Sequence, residues 1–494
     1  ACSSSDARGC DTDAIPTVTY TQGTLADASS NLAASTGAVA STDLAAPIMK
    51  YAKYKDVAVV NGAVDRVDAT FSENIVSDGY NAADYAIAVA GTVIALAEET
   101  AVATSSDDLQ ITAAGAANKT GGGTNPQITY TNNFVEGSRG LNDAAGNAVA
   151  TFTLTATDAA APFYLSSQTL DNNNAGTVDF VKVTYTESVL DSSVAAADFE
   201  AGVADTTAGN LTESFTSLTP ASGNATDTAN DEIVYVGIAS SGETIAAKDT
   251  DYTIKIQQVA AVTDATANSL ASFASQTSTD GAKPIIATVI IEDAVGGNGL
   301  IDKVTLRWSE NIDTDDGVAP VFADIPTITL PDGTATSSEG ASVTDPAGLS
   351  TDVVVTLISG QVTVNTAAGS TAISGDLSAK WKDGANNVPH ATGGTGNEAV
   401  TDSAKPVFKT STTADTNTNG TVDQITIVYS ETVSVADGSA ADGLPGVAFA
   451  NSCVAANADY ASTTGTYTIV TVTGCTASDT SITASPTYTA ATGG

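Results

Sequence analysis

Histidine and methionine occur once each in the 494 residues, tryptophan twice and cysteine four times. Two kinds of chemistry lose their usual side chains as a result. A zinc site would need Cys-x-x-Cys spacing or histidine partners, and neither is present. Hydrolysis by an activated nucleophile would need a base, and the one histidine, His390, stands in a loop-like "NNVPHATGG" with no nucleophile motif beside it. No HExxH, GxSxG, P-loop or dinucleotide fingerprint occurs. Paired carboxylates of the glycosidase kind are not excluded in so acidic a chain. The reading from sequence is nevertheless that the protein is not an enzyme.

Basic residues are scarce as well. Seventeen Lys and Arg stand against 57 Asp and Glu, giving a net charge of −40. Such a surface repels nucleic acid and anionic lipid, and it favours cations and solubility. Long apolar runs are missing too. The best candidate, "YAIAVAGTVIALAEE" from Tyr85, is too short to span a bilayer and reads as strands. No membrane insertion is expected. The sequence opens on Ala1 without an initiator Met or a charged leader region, which points to a leader already removed and an extracellular location.

The four cysteines form two close pairs, Cys2/Cys10 and Cys453/Cys475, at opposite ends of the chain. An even count with none between suits disulfides made outside the cell. Local bridges Cys2–Cys10 and Cys453–Cys475 are favoured by proximity in sequence, and bonds between the two ends remain open.

What the chain has in abundance is Ala, Thr, Ser, Gly, Val and Asp, arranged as a repeat. Asp-x-Ala-(Ala/Lys)-Pro occurs as "DLAAP", "DAAAP", "DGAKP" and "DSAKP", with prolines at Pro47, Pro162, Pro284 and Pro406, 115, 122 and 122 residues apart. After each comes a turn and a strand: "GAVDRVDATFSENI", "GTVDFVKVTYTESV", "GLIDKVTLRWSENI" and "GTVDQITIVYSETV". Alternation is strict in the last, with Ile425, Ile427 and Tyr429 on one face and Thr426, Val428 and Ser430 on the other. Phe71, Tyr185, Trp308 and Tyr429 recur as core anchors. Two residues later stand Glu73, Glu187, Glu310 and Glu431, on the same face but at the strand's end, where they are expected to reach solvent or cap a loop. Late in three copies comes an Asp-x-x-x-Asn turn, Asp143 to Asn147, Asp264 to Asn268 and Asp383 to Asn387, whose side chains can bond their own backbone.

Gly-x-(Val/Ile)-Asp, a strand ending in Phe-Ser-Glu and a late Asp-Ala-Ala-Gly-Asn turn resemble the bacterial and archaeal Ig-like repeats of surface-layer proteins and adhesins. The resemblance covers roughly residues 44–494 and implies about seven strands per module in two packed sheets. Copies near 120 residues with short alternating strands independently predict sandwiches. The expected fold is all-β, tandem Ig-like antiparallel β-sandwich domains at 44–160, 161–282, 283–404 and 405–494, preceded by a tail, 1–43.

The fourth copy runs 88 residues past Pro406, where a full module would run about 120, and stops before any late Asp-Ala-Gly-Asn turn. The tail, "PTVTYTQGTLADASSNLAASTGAVASTDLAAP", matches the closing part of a module, with Asp27 and Asn31 where Asp143 and Asn147 stand. The expectation is a head-to-tail homopolymer, the tail of one copy completing the open module of the next. The alternative is an adhesin or surface-layer protein, of which this chain is an excerpt, with other surface proteins or glycans as partners. One strand, "PTVTYT" at one end and "PTYT" at the other, is duplicated under the first reading.

Calcium is the expected cofactor. Asp415, Asn417, Asn419 and Asp423 follow D-x-N-x-N-G-x-V-D, close to the oxygen spacing of calcium loops, and Asp171, Asn173 and Asp179 keep part of it. The competing reading is an Asx/Gly turn that starts the strand. Asn118, Asn210 and Asn224 head glycosylation triplets of the kind that Thr-rich sequence also produces by chance.

Overall fold

The computed structural model describes residues 12, 15–57, 60–77, 81–89, 92–94, 96–101, 106–113, 127–173, 176–203, 227–238, 254–270, 272–294, 297, 299–314, 327–329, 342–344, 350–357, 372–374, 381–389, 399–433, 447–448, 453–459, 467–473 and 487–488. These residues are all-β: strands in several separate sheets, with only short 3₁₀ turns besides. No helix among them is long and apolar enough to cross a membrane. The chain clusters into two units. One comprises 1–169, 180–245 and 253–279, and the other comprises 170–179, 246–252 and 280–494.

In the first unit, the strand Arg66–Ser77 is the centre of one sheet, flanked by Met49–Lys55 and Ser106–Ala113. A second sheet contains Tyr85–Val89, Gln127–Tyr130 and Phe152–Thr155. Alternation decides what lies between them. Val67, Ala69 and Phe71 face Ile87, Ile128 and Tyr130 in one core, all of them buried. Tyr130 packs between Tyr85 and Phe152, at ring-centroid distances of 5.3 and 5.6 Å. Val181, Val183 and Tyr185 bury the second copy's strand in the same way.

In the second unit, Lys303–Thr314 holds the corresponding central place, between Ile286–Glu292 and Ser350–Thr356. Trp308 and Trp381 meet in its core at 6.1 Å. Gln424–Tyr429 lies between Phe408–Ala414 and Tyr467–Thr473.

Antiparallel pairing was expected throughout, and the structure adds parallel pairs at one recurrent place. The closing strand of a copy lies parallel to that copy's first strand: Thr157–Asp158 on Met49–Lys55 and Ala399–Asp402 on Ile286–Glu292. An isolated parallel bridge, Gln168 to Thr279, holds the same place in the second copy. Cys453 is disulfide-bonded; Cys2, Cys10 and Cys475, like His390, Asn118, Asn210 and Asn224, lie outside the described residues.

One buried charge fixes the loop that enters the second sheet of copy one. The Asp84 side chain, 1% exposed, takes a forked pair from Arg139 at 3.0 Å and a bond from Asn133 at 2.9 Å. The Arg139 bonds hold its pKa below the ordinary 3.8. The stabilisation from this lowered pKa is therefore present above the ordinary value and lost as pH falls through the folded value. Arg139→Ala is expected to lower the urea midpoint at pH 7, because it strands a buried carboxylate. The difference from the parent should shrink below pH 4 in matched urea titrations.

Candidate metal centres

Two sets of carboxylates recur from copy to copy, and they have different jobs. The first set is the Asp pair that brackets the Gly-x-(Val/Ile)-Asp turn. Asp56, Asp171, Asp293 and Asp415 each accept, on Oδ2, the N–H of Gly62, Gly176, Gly299 and Gly420, at 2.6, 2.7, 2.7 and 2.7 Å. Asp65, Asp179, Asp302 and Asp423 each accept a second loop amide, from Val57, Asn172, Ala294 and Thr416, at 2.9, 2.7, 2.7 and 2.8 Å. The four glycines take φ of +78°, +78°, +75° and +83°, the left-handed region that a Cβ disfavours.

These are backbone clamps, and they form in every copy whether or not the loop is rich in Asn. Asn419 Oδ1 accepts Thr421 N–H at 2.8 Å, Asn417 Oδ1 accepts Asn419 N–H at 3.1 Å, and Asn173 N–H donates to Asp179 at 3.2 Å. All seven residues expected around calcium thus occupy the turns. Burial and the nearby Asp171 charge push Asp179 up to about 6. Thr416 and further amides hold the exposed Asp423 down.

The second set was not recognised in the sequence as a set. Each linker Asp, strand-end Glu and turn Asp converge: Asp43, Glu73 and Asp143; Asp158, Glu187 and Asp264; Asp280, Glu310 and Asp383. In each group one oxygen from every residue lies within 4.8 Å of the others. The Glu does not reach solvent as expected. Glu73, Glu187 and Glu310 are 3%, 4% and 1% exposed, and the turn aspartates are equally buried.

Each member is positioned by backbone. The linker Asp accepts the amide two residues on: Ala45, Ala160, Ala282 and, in the fourth copy, Ala404, at 2.9 to 3.0 Å. The Ser or Thr before the Glu accepts the amide after the linker proline, at 3.0 Å in Ile48 and Phe163, 3.1 Å in Ile285 and 2.8 Å in Val407. The turn Asp accepts both the amide and the side-chain N–H of the Asn four residues on, at 2.7 to 2.8 Å. That turn puts Gly146, Ala267 and Asn386 at positive φ, so two of the three pay a Cβ penalty that the Asp–Asn clamp offsets.

In each trio two of the three carboxylates are buried, so their mutual repulsion is poorly screened by solvent. Burial raises the pKa of Asp158, and Asp264 adds to the effect; the Tyr54 hydroxyl, donated from copy one, opposes it. Hard oxygen donors gathered from three segments fit a divalent cation of the calcium type. Each trio also spans about 100 residues of sequence, so whatever occupies it ties the linker to the module's last turn.

No protein-family model matches the chain, and no curated protein matches it. Among solved structures, it is similar to domains 1–6 of the surface layer protein SbsC, with a TM-score of 0.18, 14% identity and 86% of this chain covered. A crystal structure of the S-layer protein rSbsC(31-844) gives 0.18, 13% and 86%. The match spans 62% of each of those chains. Likeness at this level carries no inference about fold or function.

The clamps are open to a direct test. Asp302 is 2% exposed and accepts the Ala294 amide at 2.7 Å. Asp302→Ala is expected to cost about 1–3 kcal/mol in urea unfolding, as a hydrogen bond to a buried, charged acceptor is lost. Asp302→Asn should recover part of that loss, since its amide oxygen can still accept.

Proposed function

We propose that the chain is a non-enzymatic structural protein of a cell surface, a string of Ig-like sandwiches at 44–160, 161–282, 283–404 and 405–494. Copies join head to tail by strand exchange, the 1–43 tail of one completing the fourth module of another. One observation carries the reading: the tail is folded as a closing hairpin whose apolar side chains are exposed.

The equivalence is residue by residue. Asp27 N–H bonds Asn31 O at 3.0 Å, as Asp143 does Asn147 at 3.1 Å. Ala33 N–H bonds Leu25 O at 2.8 Å, as Val149 does Leu141 at 2.9 Å. Thr17–Val18 pairs with Val39–Ala40 as Gln127–Tyr130 pairs with Phe152–Thr155. Yet Val18, Leu25 and Val39 are 60%, 61% and 59% exposed, whereas Ile128 and Leu141 are fully buried. Burying a Val or Leu side chain contributes about 1.5–3 kcal/mol, which a free tail forgoes.

The receiving side supports the same reading. Phe408–Ala414 has no fully buried residue, and no parallel partner among the described residues. Its counterparts Met49–Lys55 and Ile286–Glu292 have both. Tyr429 is only half-buried, where Phe71, Tyr185 and Trp308 are buried.

Assembly is checked by sedimentation and electron microscopy across a concentration series. Removal of residues 1–43 is expected to leave a monomer, and the separate tail peptide to cap the parent chain and stop growth. A tail-deleted chain that assembles like the parent would rule out strand exchange.

Calcium is proposed as the ion that these carboxylates hold, at the buried trios and in the Asp415–Asp423 and Asp171–Asp179 loops. A cation at about 100 times its dissociation constant adds about 2.7 kcal/mol per independent site. Melting is expected to rise with calcium and fall in chelator. Glu310→Gln should shrink the difference if the trio binds, and Asp415→Asn if the loop does. Superimposable curves in calcium and chelator would remove the ion from the account.

A further inference from the structure

The glycine of each Gly-x-(Val/Ile)-Asp turn does more than turn the chain. A Cβ added to Gly62 would collide with the Thr186 side chain and come within 3.2 Å of Phe163 Cβ. On Gly176 it would lie 3.1 and 3.2 Å from Ile285 and 3.2 Å from Ser309 Cβ. On Gly299 it would lie 2.9 Å from Lys409 and 3.0 Å from Ser430 Cβ. The loop of one copy therefore seats on the next copy at the same pole each time: the Ser or Thr before the buried Glu, with a residue one or three places past the linker proline. Three joints use one geometry.

Among the described residues, both halves of that joint also occur without a mate. Gly420 has the same φ, the same Asp415 clamp at 2.7 Å, and no described atom within 4 Å of an added Cβ. Ser72 and Ile48 hold the receiving positions of the first copy, with the same Ile48 N–H to Ser72 Oγ bond at 3.0 Å. Ile48 is 57% exposed, whereas Ile285, the residue at that position under Gly176, is 7% exposed.

We propose that the Gly420 loop of one copy seats on the Ile48–Ser72 pole of a second copy, so that the joint between subunits repeats the joints within the chain. The proposal rests on the head-to-tail reading above and adds a contact that strand exchange does not require. The second copy is the occupant because this chain already mates the same two surfaces three times. One local group must yield first. Thr12 Oγ1 lies 2.6 Å from Ser72 Oγ and also bonds Glu73, so the segment before the tail hairpin covers part of the pole. Withdrawal of the tail toward another subunit's fourth module would carry Thr12 away, coupling donation of the hairpin to exposure of the pole.

The test mixes two single-cysteine variants with the native disulfides left intact, Gly420→Cys in one chain and Ile48→Cys in the other, under mild oxidation. Gly146→Cys replaces the first as control, since it too has positive φ and open space around an added Cβ. The expected result is a disulfide-linked dimer for the 420/48 pair at several times the control yield, with the bond located by peptide mapping. In parallel, Gly420→Asn should raise the critical concentration for assembly at least tenfold. Its monomer should melt as the parent does, because Asn tolerates positive φ and nothing crowds the site.

Filaments that form without the 420/48 cross-link, and with Gly420→Asn assembling like the parent, would overturn the joint and leave strand exchange standing. Cross-linking that persists after removal of residues 1–43 would support the joint as independent of the tail. If the parent chain neither associates nor cross-links at any concentration, the head-to-tail reading falls and the joint with it.

Discussion

A two-way backbone exchange sets the geometry at every joint. Ser72 donates its N–H to Ile48 O at 2.9 Å and takes the Ile48 N–H on its hydroxyl at 3.0 Å. The pairs Thr186/Phe163, Ser309/Ile285 and Ser430/Val407 do the same. This locks the residue after each linker proline to the end of the central strand. In the first three copies the linker Asp, five residues before that amide, is thereby brought over the strand-end Glu. A hydroxyl suits that place, because an apolar residue would leave the N–H without its side-chain acceptor. That is why only Ser and Thr fill the position between the aromatic and the Glu.

Much of this fold was legible in the sequence, since its signals are local. Period-two alternation picked out Ile425 and Ile427, both fully buried, and the Asp-x-x-x-Asn spacing encodes a turn whose bonds span four residues. The trios were not legible. Alternation assigns Glu310 a face but does not say what covers it, and Asp280 and Asp383 arrive from roughly thirty residues before and seventy after. The signal was nonetheless present: three acidic positions recur together in three copies. The oxygen-rich loop of copy four carries two signals at once. Spacing that would wrap a cation also satisfies loop amides, and Asp415 and Asp423 make the same clamps as Asp293 and Asp302, whose loop lacks the extra Asn residues.

The charge of −40 and the buried trios present the same problem at two scales. Over the exposed surface, solvent and salt screen the repulsion. In the trios, burial removes that screening, and like charges within 4.8 Å oppose folding. A proton, as the raised Asp158 pKa indicates, or a divalent cation relieves the conflict. Placing that conflict at the linker, rather than in the middle of a sheet, makes the module-to-module connection the part most responsive to the ionic environment.

The tail also gives the duplicated strand a physical role. In an intact module, the closing strand is held by the strand before it, as Phe152–Thr155 is by Gln127–Tyr130. In the tail, Val39–Ala40 is held by Thr17–Val18, a copy of that earlier strand. The fourth copy has its own version, Thr487–Tyr488, paired with Val447–Ala448. Under the proposed exchange, Thr17–Val18 is a stand-in that keeps the donor turn folded, with Asp27 clamped to Asn31 and Ser30 already at positive φ. A donor ordered in advance loses less conformational entropy on docking than a disordered one. Under that proposal its self-pairing would break before it joins another sheet, so the same hairpin that favours affinity would also slow exchange. A two-residue pairing is a short one to break, and the apolar side chains it leaves in water would gain by burial in another sheet.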